Sequence, residues 1–149
     1  MKLIVKQSNE YKEPEIMVSY RNIDKRLSKL IELIKLFSFS IKAQKDNTVV
    51  SVALEDVYYF DSVDNKVFLY TENEVYHCDK KLYEIEEAYC STTLARVSKN
   101  CILNIIYVAS VQTQLSGRLA ATLKNGEKII ISRHYIKGFR NKFFEEGAK

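Results

Sequence analysis

The apolar residues of this chain change their period once, near Ile41, and that change limits what the chain can fold into more than any other feature. Ahead of it, Leu27, Leu30, Ile31, Ile34 and Phe37 recur at three- and four-residue steps, the spacing of one helix face. Beyond it the step falls to two, the repeat of a strand with one buried side. The first pattern predicts an amphipathic helix of about four turns. Asn22 or Asp24 can cap it, because a short polar side chain accepts an amide proton that the first turn leaves unpaired. Its stripe requires cover from the main domain, from neighbouring strands, or from a second copy of the chain.

Two strands are expected before that helix, at 1–7 (MKLIVKQ) and at 16–20, where Pro14 suits a strand start because it cannot donate to a ladder. After Ile41, strands are expected at 41–44, 49–53, 57–60, 66–71, 75–78, 96–97, 107–115, 118–124 and 128–132. In 107–115, Tyr107, Ala109, Val111, Thr113 and Leu115 share one face, and Leu119, Ala121 and Leu123 repeat the alternation after a turn. Asn125-Gly126, Ser116-Gly117 and Asp64-Asn65 supply turn chemistry, since these residues tolerate positive φ. Two more helices are expected: one after Asp79 as N-cap, carrying Leu82, Ile85 and Tyr89, and a last one carrying Ile136, Phe139 and Phe143. The fold class is therefore mostly β with a few helices. An N-terminal extension of strands and helix (1–40) precedes the main unit (41–149).

A search for catalytic groups finds little. His77 lies in a strand beside Cys78, the acids Glu84, Glu86 and Glu87 read as a solvated helix face, and the four glycines are too scattered for a phosphate loop. Cys78, Cys90 and Cys101 are odd in number and widely spaced, which reads as buried free thiols rather than a zinc or redox site. Neither a cofactor nor a metal is expected, nor an enzyme. No apolar run reaches the roughly 18 residues of a membrane span. The start also lacks a signal-peptide core, so the expected location is cytoplasmic.

Charge is more informative where it is uneven. From 94 to 142 there are nine basic residues against one acid, Glu127, a local balance of +8; from 72 to 87 there are six acids against Lys80 and Lys81, a balance of −4. A protein so polarised can present one face to a polyanion and turn another away.

Specific blocks name the polyanion. Residues 57–71 (VYYFDSVDNKVFLYT) resemble the opening of a LytTR DNA-binding domain, with its acidic-Ser pair ahead of the first DNA-reading loop; 82–87 (LYEIEE), 96–104 (RVSKNCILN), 123–128 (LKNGEK) and 131–135 (ISRHY) follow in the family's order. The resemblance covers about 41–144 and implies a bacterial transcription regulator with an elongated arrangement of β-sheets. It also implies inter-strand loops entering successive grooves of double-stranded DNA, two copies commonly occupying repeated half-sites, and for compact members a regulatory membrane protein as partner. Many relatives carry His where this chain has Ser98. The 40 residues ahead of the match are too few for the receiver domain of well-known members, so aspartyl-phosphate control is not expected.

By position, the resemblance makes three loops the readers. They contain Asn65 and Lys66, then Ser98, Lys99 and Asn100, then Arg133 and His134. Arg133 can present a bidentate fork to guanine, an asparagine can pair with adenine, and lysine can reach guanine or phosphate. His134 is read either as a phosphate contact or as a cap of the last helix. Lys124, Lys128 and Arg140 are left to phosphate contacts or solubility, and Arg96 to pairing with the acidic helix. The alternative function is an interaction module whose N-terminal helix and β-surface bind a partner protein.

Overall fold

In the computed structural model, which describes residues 1–144, Asp24 is the cap of the first helix: its carboxylate accepts the Leu27 amide proton at 2.7 Å and starts α1 (Lys25–Phe37). A cap of this kind contributes about 1 kcal/mol. The covered face ends on Leu36, which is fully buried, and not on Phe37, which is 63% exposed. Leu27, Leu30, Ile31 and Ile34 are half-buried. The helix is fixed at its far end, where Phe39 accepts a backbone hydrogen bond from Leu54 and meets the edge of the Tyr89 ring.

The strands expected at 1–7 and 16–20 do not form. Residues 1–24 make no ladder, and Leu3, Val5, Ile16 and Met17 stand exposed. β-Branched side chains favour extended backbone, but a strand exists only when another backbone pairs with it.

After α1 the chain forms β1 (Ser40–Lys45), β2 (Thr48–Ala53), β3 (Tyr59–Val63), β4 (Lys66–Tyr70) and β5 (Val75–Cys78), then α2 (Leu82–Ala88). It continues with β6 (Leu94–Ser98), β7 (Cys101–Asn104), β8 (Val108–Thr113), β9 (Leu119–Leu123), β10 (Lys128–Ile131) and α3 (Ile136–Phe143). Seven strands make one antiparallel sheet in the order β2-β1-β5-β4-β3-β7-β6, and β10-β9-β8 make a second. The turns at Asp46-Asn47 and Asp64-Asn65 have positive φ at both central residues, which matches the twist of a tight hairpin.

Each face of the large sheet has its own core. Phe60, Leu69 and Ile102 point to one side, under Leu82 and Ile85 of α2, Tyr89 just after it and Leu36 of α1. Tyr59, Val97, Cys101 and Leu103 point to the other, against Leu119, Ala121, Leu123 and Ile131 of the small sheet and Phe139 of α3. β7 alternates between the two cores, so all four of its residues are buried. For that reason it shows no polar alternation, and the sequence pattern does not reveal it.

Several local expectations are corrected. A bulge between Val108 and Ser110 breaks the alternation of β8, so Val108 is buried and Ala109 exposed, while Leu115 lies past the end of the strand, fully in solvent. The residue before α2 is Lys81, whose amide donates to the Glu84 carboxylate at 2.9 Å; Asp79 instead accepts from the Gln44 side chain. Cys78 and Cys101 are buried, whereas Cys90 is exposed. The buried Asn104 is fully engaged: its amide donates to Val57 O at 2.8 Å and its oxygen accepts from the Thr93 hydroxyl at 2.7 Å.

Candidate functional site

The pairing that builds the large sheet also assembles a rim. β3 lies between β4 and β7, so the Asp64-Asn65 turn and the β6–β7 loop sit at the same end of the sheet. Ser62 donates its amide to Asn100 O at 2.8 Å, joining the first loop's strand to the second loop. Ser132 donates its amide to Val97 O at 2.9 Å, joining the third segment to β6. Three segments far apart in sequence are thereby fixed edge to edge by backbone groups.

The side chains these segments offer are polar and open. Asn65, Lys66, Lys99, Asn100, Arg133 and His134 are exposed and Ser98 is half-exposed. Among the described residues the ion pairs engage Lys45, His77 and Arg96, none of which belongs to these three segments' exposed set. The Ser98 hydroxyl accepts the Asn100 amide proton at 3.2 Å and so closes the second loop. His134 does not cap α3; its ring meets the Tyr135 ring edge-on at 4.9 Å.

Two contacts at this rim go beyond what the sequence indicates. Gly117, in the β8–β9 turn, has φ +84°, and a Cβ built on it would lie 3.3 Å from Cδ of Arg133. The turn therefore lies against the Arg133 stem, and Arg118 beside it is exposed. Arg96 pairs with Glu86 at 2.8 Å as expected, but it also donates to Ser98 O at 2.8 Å and to Lys99 O at 2.6 Å. Side-chain fans of this kind leave no pattern in sequence.

Other predicted positions lie elsewhere. β9 and β10 run away from the rim, with Ile131 opposite Leu119 and Lys128 opposite Thr122, so Lys124 and Lys128 flank a turn at the far end of the small sheet. Glu127 lies between them and accepts from the Tyr59 hydroxyl at 2.7 Å. Arg140 is exposed on α3. Lys142, counted among the nine basic residues, turns inward and donates to the carbonyls of Cys90, Thr92 and Leu94 at 2.7–2.9 Å. Burial lowers its pKa, with Glu32 of α1 opposing that shift. Glu72 and Glu74 follow β4 at the end opposite Asn65, so the acid nearest that turn in sequence is Asp64 within it. Behind the rim, burial raises the pKa of Asp61 and pushes the Cys101 thiol up to about 12.

The chain matches the LytTr DNA-binding domain family over residues 47–144. It is 28% identical over 105 residues to the sensory transduction protein LytT of Enterococcus faecalis, covering 70% of this chain and 43% of that protein. It is 29% identical over 92 residues to LytT of Bacillus cereus, covering 62% of this chain and 37% of that protein. The chain thus spans less than half the length of these curated relatives. Among solved structures, the LytTr DNA-binding domain of a putative methyl-accepting/DNA response regulator from Bacillus cereus superposes with a TM-score of 0.66 at 18% identity, covering 70% of this chain and 96% of that one.

Proposed function

The chain belongs to the LytTR DNA-binding domain family, and from that premise we propose that it regulates transcription by reading repeated half-sites of double-stranded DNA through its three-loop rim. The observation that carries this reading is the rim itself: Asn65, Lys66, Ser98, Lys99, Asn100, Arg133 and His134 share one end of the sheet, joined through Ser62–Asn100 and Val97–Ser132. The donors suit the task. Arg133 reads a guanine edge, Asn65 or Asn100 pairs with adenine, and Lys66 and Lys99 reach guanine or phosphate. Lys124, Lys128 and Arg140 contribute to phosphate attraction only. Residues 1–40 form an extension to the reading unit, which runs from 41 to 149; its last five positions lie outside the described residues. The protein acts in the cytoplasm as a pair of copies on DNA.

The test uses a duplex selected by the purified chain from a random pool, beside a scrambled duplex of equal length. Affinity for both falls as salt rises, with a slope set by the phosphates neutralised. Arg133→Ala lowers affinity for the selected duplex by roughly 10- to 100-fold while barely changing the scrambled one. Lys128→Ala weakens both by the same small factor. Wild-type protein that shows no preference between the two duplexes sinks the proposal.

A second reading, in which the chain docks on a regulatory partner such as a membrane protein, is favoured by the apolar side chains exposed along 1–24. Deleting those residues, while keeping α1 because Leu36 belongs to the core, removes partner binding under this reading. DNA affinity for one half-site is then unchanged.

A further inference from the structure

A loop that reads bases has to hold its backbone still, and the second loop begins where the ladder is irregular. The β6–β7 register passes from Arg96 opposite Ile102 to Ser98 opposite Cys101, skipping Val97. The carbonyl of the skipped residue, Val97 O, accepts from the Ser132 amide at 2.9 Å. One side chain then holds the next two carbonyls along the chain. The Arg96 Nε donates to Ser98 O at 2.8 Å, and one of its terminal nitrogens donates to Lys99 O at 2.6 Å.

The same guanidinium reaches two other elements. Its remaining terminal nitrogen donates to Glu86 Oε1 on α2 at 2.8 Å, and its central carbon stands 5.9 Å from the centre of the Tyr135 ring. Tyr135 closes the third segment, donating its amide to Ser132 O and meeting the ring of His134. The Arg96 side chain is 15% exposed, and its charge is matched by Glu86, so it is turned away from solvent.

We propose that Arg96 is the positioning residue of the rim: its fork fixes the carbonyls of Ser98 and Lys99 and ties the second loop to the third through Tyr135, so sequence discrimination depends on a side chain that does not touch DNA. This rests on the rim being the DNA-reading surface. The requirement is for the planar fork, not the charge. A lysine ammonium is a single compact centre and cannot hold two loop carbonyls and the Glu86 carboxylate in their fixed, coplanar directions.

Arg96→Lys in the full chain separates the alternatives. The expected result is a loss of roughly tenfold or more in the ratio of selected to scrambled affinity, with the salt slope unchanged and faster amide exchange at Asn100 measured without DNA. Equal weakening on both duplexes, with the ratio and the exchange at Asn100 unchanged, makes Arg96 a direct phosphate contact and overturns the proposal. So does a lowered melting temperature with an unchanged ratio, which is the signature of a purely structural role. Tyr135→Leu covers the case in which Arg96→Lys does not fold: it removes only the ring, and it lowers the ratio while leaving exchange at Asn100 as in wild type. An unchanged ratio in that variant overturns the tie between the loops. Wild-type protein without sequence preference removes the DNA reading instead, and exchange at Asn100 in Arg96→Lys still decides whether Arg96 holds the loop.

Discussion

Cys101 and Cys90 differ in what governs thiol reactivity, access to a thiolate. Cys101 is 7% exposed and its pKa is pushed up to about 12 by burial, with Asp61 adding to the shift and Arg96 opposing it. At pH 8 a thiol of that pKa is ionised to roughly one part in ten thousand. Cys90 is exposed. In native protein at pH 8, a chromogenic disulfide reagent is therefore expected to titrate Cys90 rapidly and Cys101 only after denaturant is added. Rapid native reaction of a Cys90→Ser variant at Cys101 would contradict the burial. Single residues were also where charge counting reached its limit. Nine basic residues stand out in the sequence between 94 and 142, but their availability does not. Arg96 and Lys142 are turned into the protein, and Lys124 and Lys128 stand at the far end of their sheet from Arg133.

α3 is held by more than its apolar stripe. Phe139 is fully buried, and the Lys142 ammonium donates to three carbonyls of the segment leading into β6. Lys142→Met keeps the length of the stem and leaves those carbonyls without their donor. The expected cost is about 1–3 kcal/mol of unfolding free energy, read from urea denaturation, with the ratio of selected to scrambled duplex affinity unchanged. A stable variant with weakened binding to both duplexes would instead make Lys142 a phosphate contact. Element identity was legible wherever one face is wetter than the other: β1, β4 and the stripe of α3 follow their periodicity. It was not legible in β7, which is covered on both faces, or in 1–7 and 16–20, whose β-type composition lacks a partner strand. The bulge in β8 shows the same limit, because one extra residue inverts every later position and leaves no mark on composition.

At the scale of the molecule, the proposed reading puts DNA contact at one end of a sheet, so that on this reading a single copy would cover a limited stretch of duplex. Two copies on repeated half-sites whose centres lie about 10–10.5 base pairs apart would face the same side of the DNA. Light scattering of the complex with a two-repeat duplex is expected to give two chains per duplex, and with a single repeat one chain bound more weakly. Saturation at one chain on the two-repeat duplex would refute the paired arrangement. By itself the sequence determined the change from helical to strand period at Ile41, the turn residues, and the blocks that identify the family, because these are local: backbone preference and short-range spacing act within a few residues. Tertiary structure alone decided which charges are free, which strand is sandwiched between two cores, and how the loops at 64–66, 98–100 and 132–134 meet. Those depend on contacts between segments tens of residues apart, such as Ser62 with Asn100, Val97 with Ser132 and Arg96 with Tyr135, and nothing in the local chain encodes where a distant partner will lie.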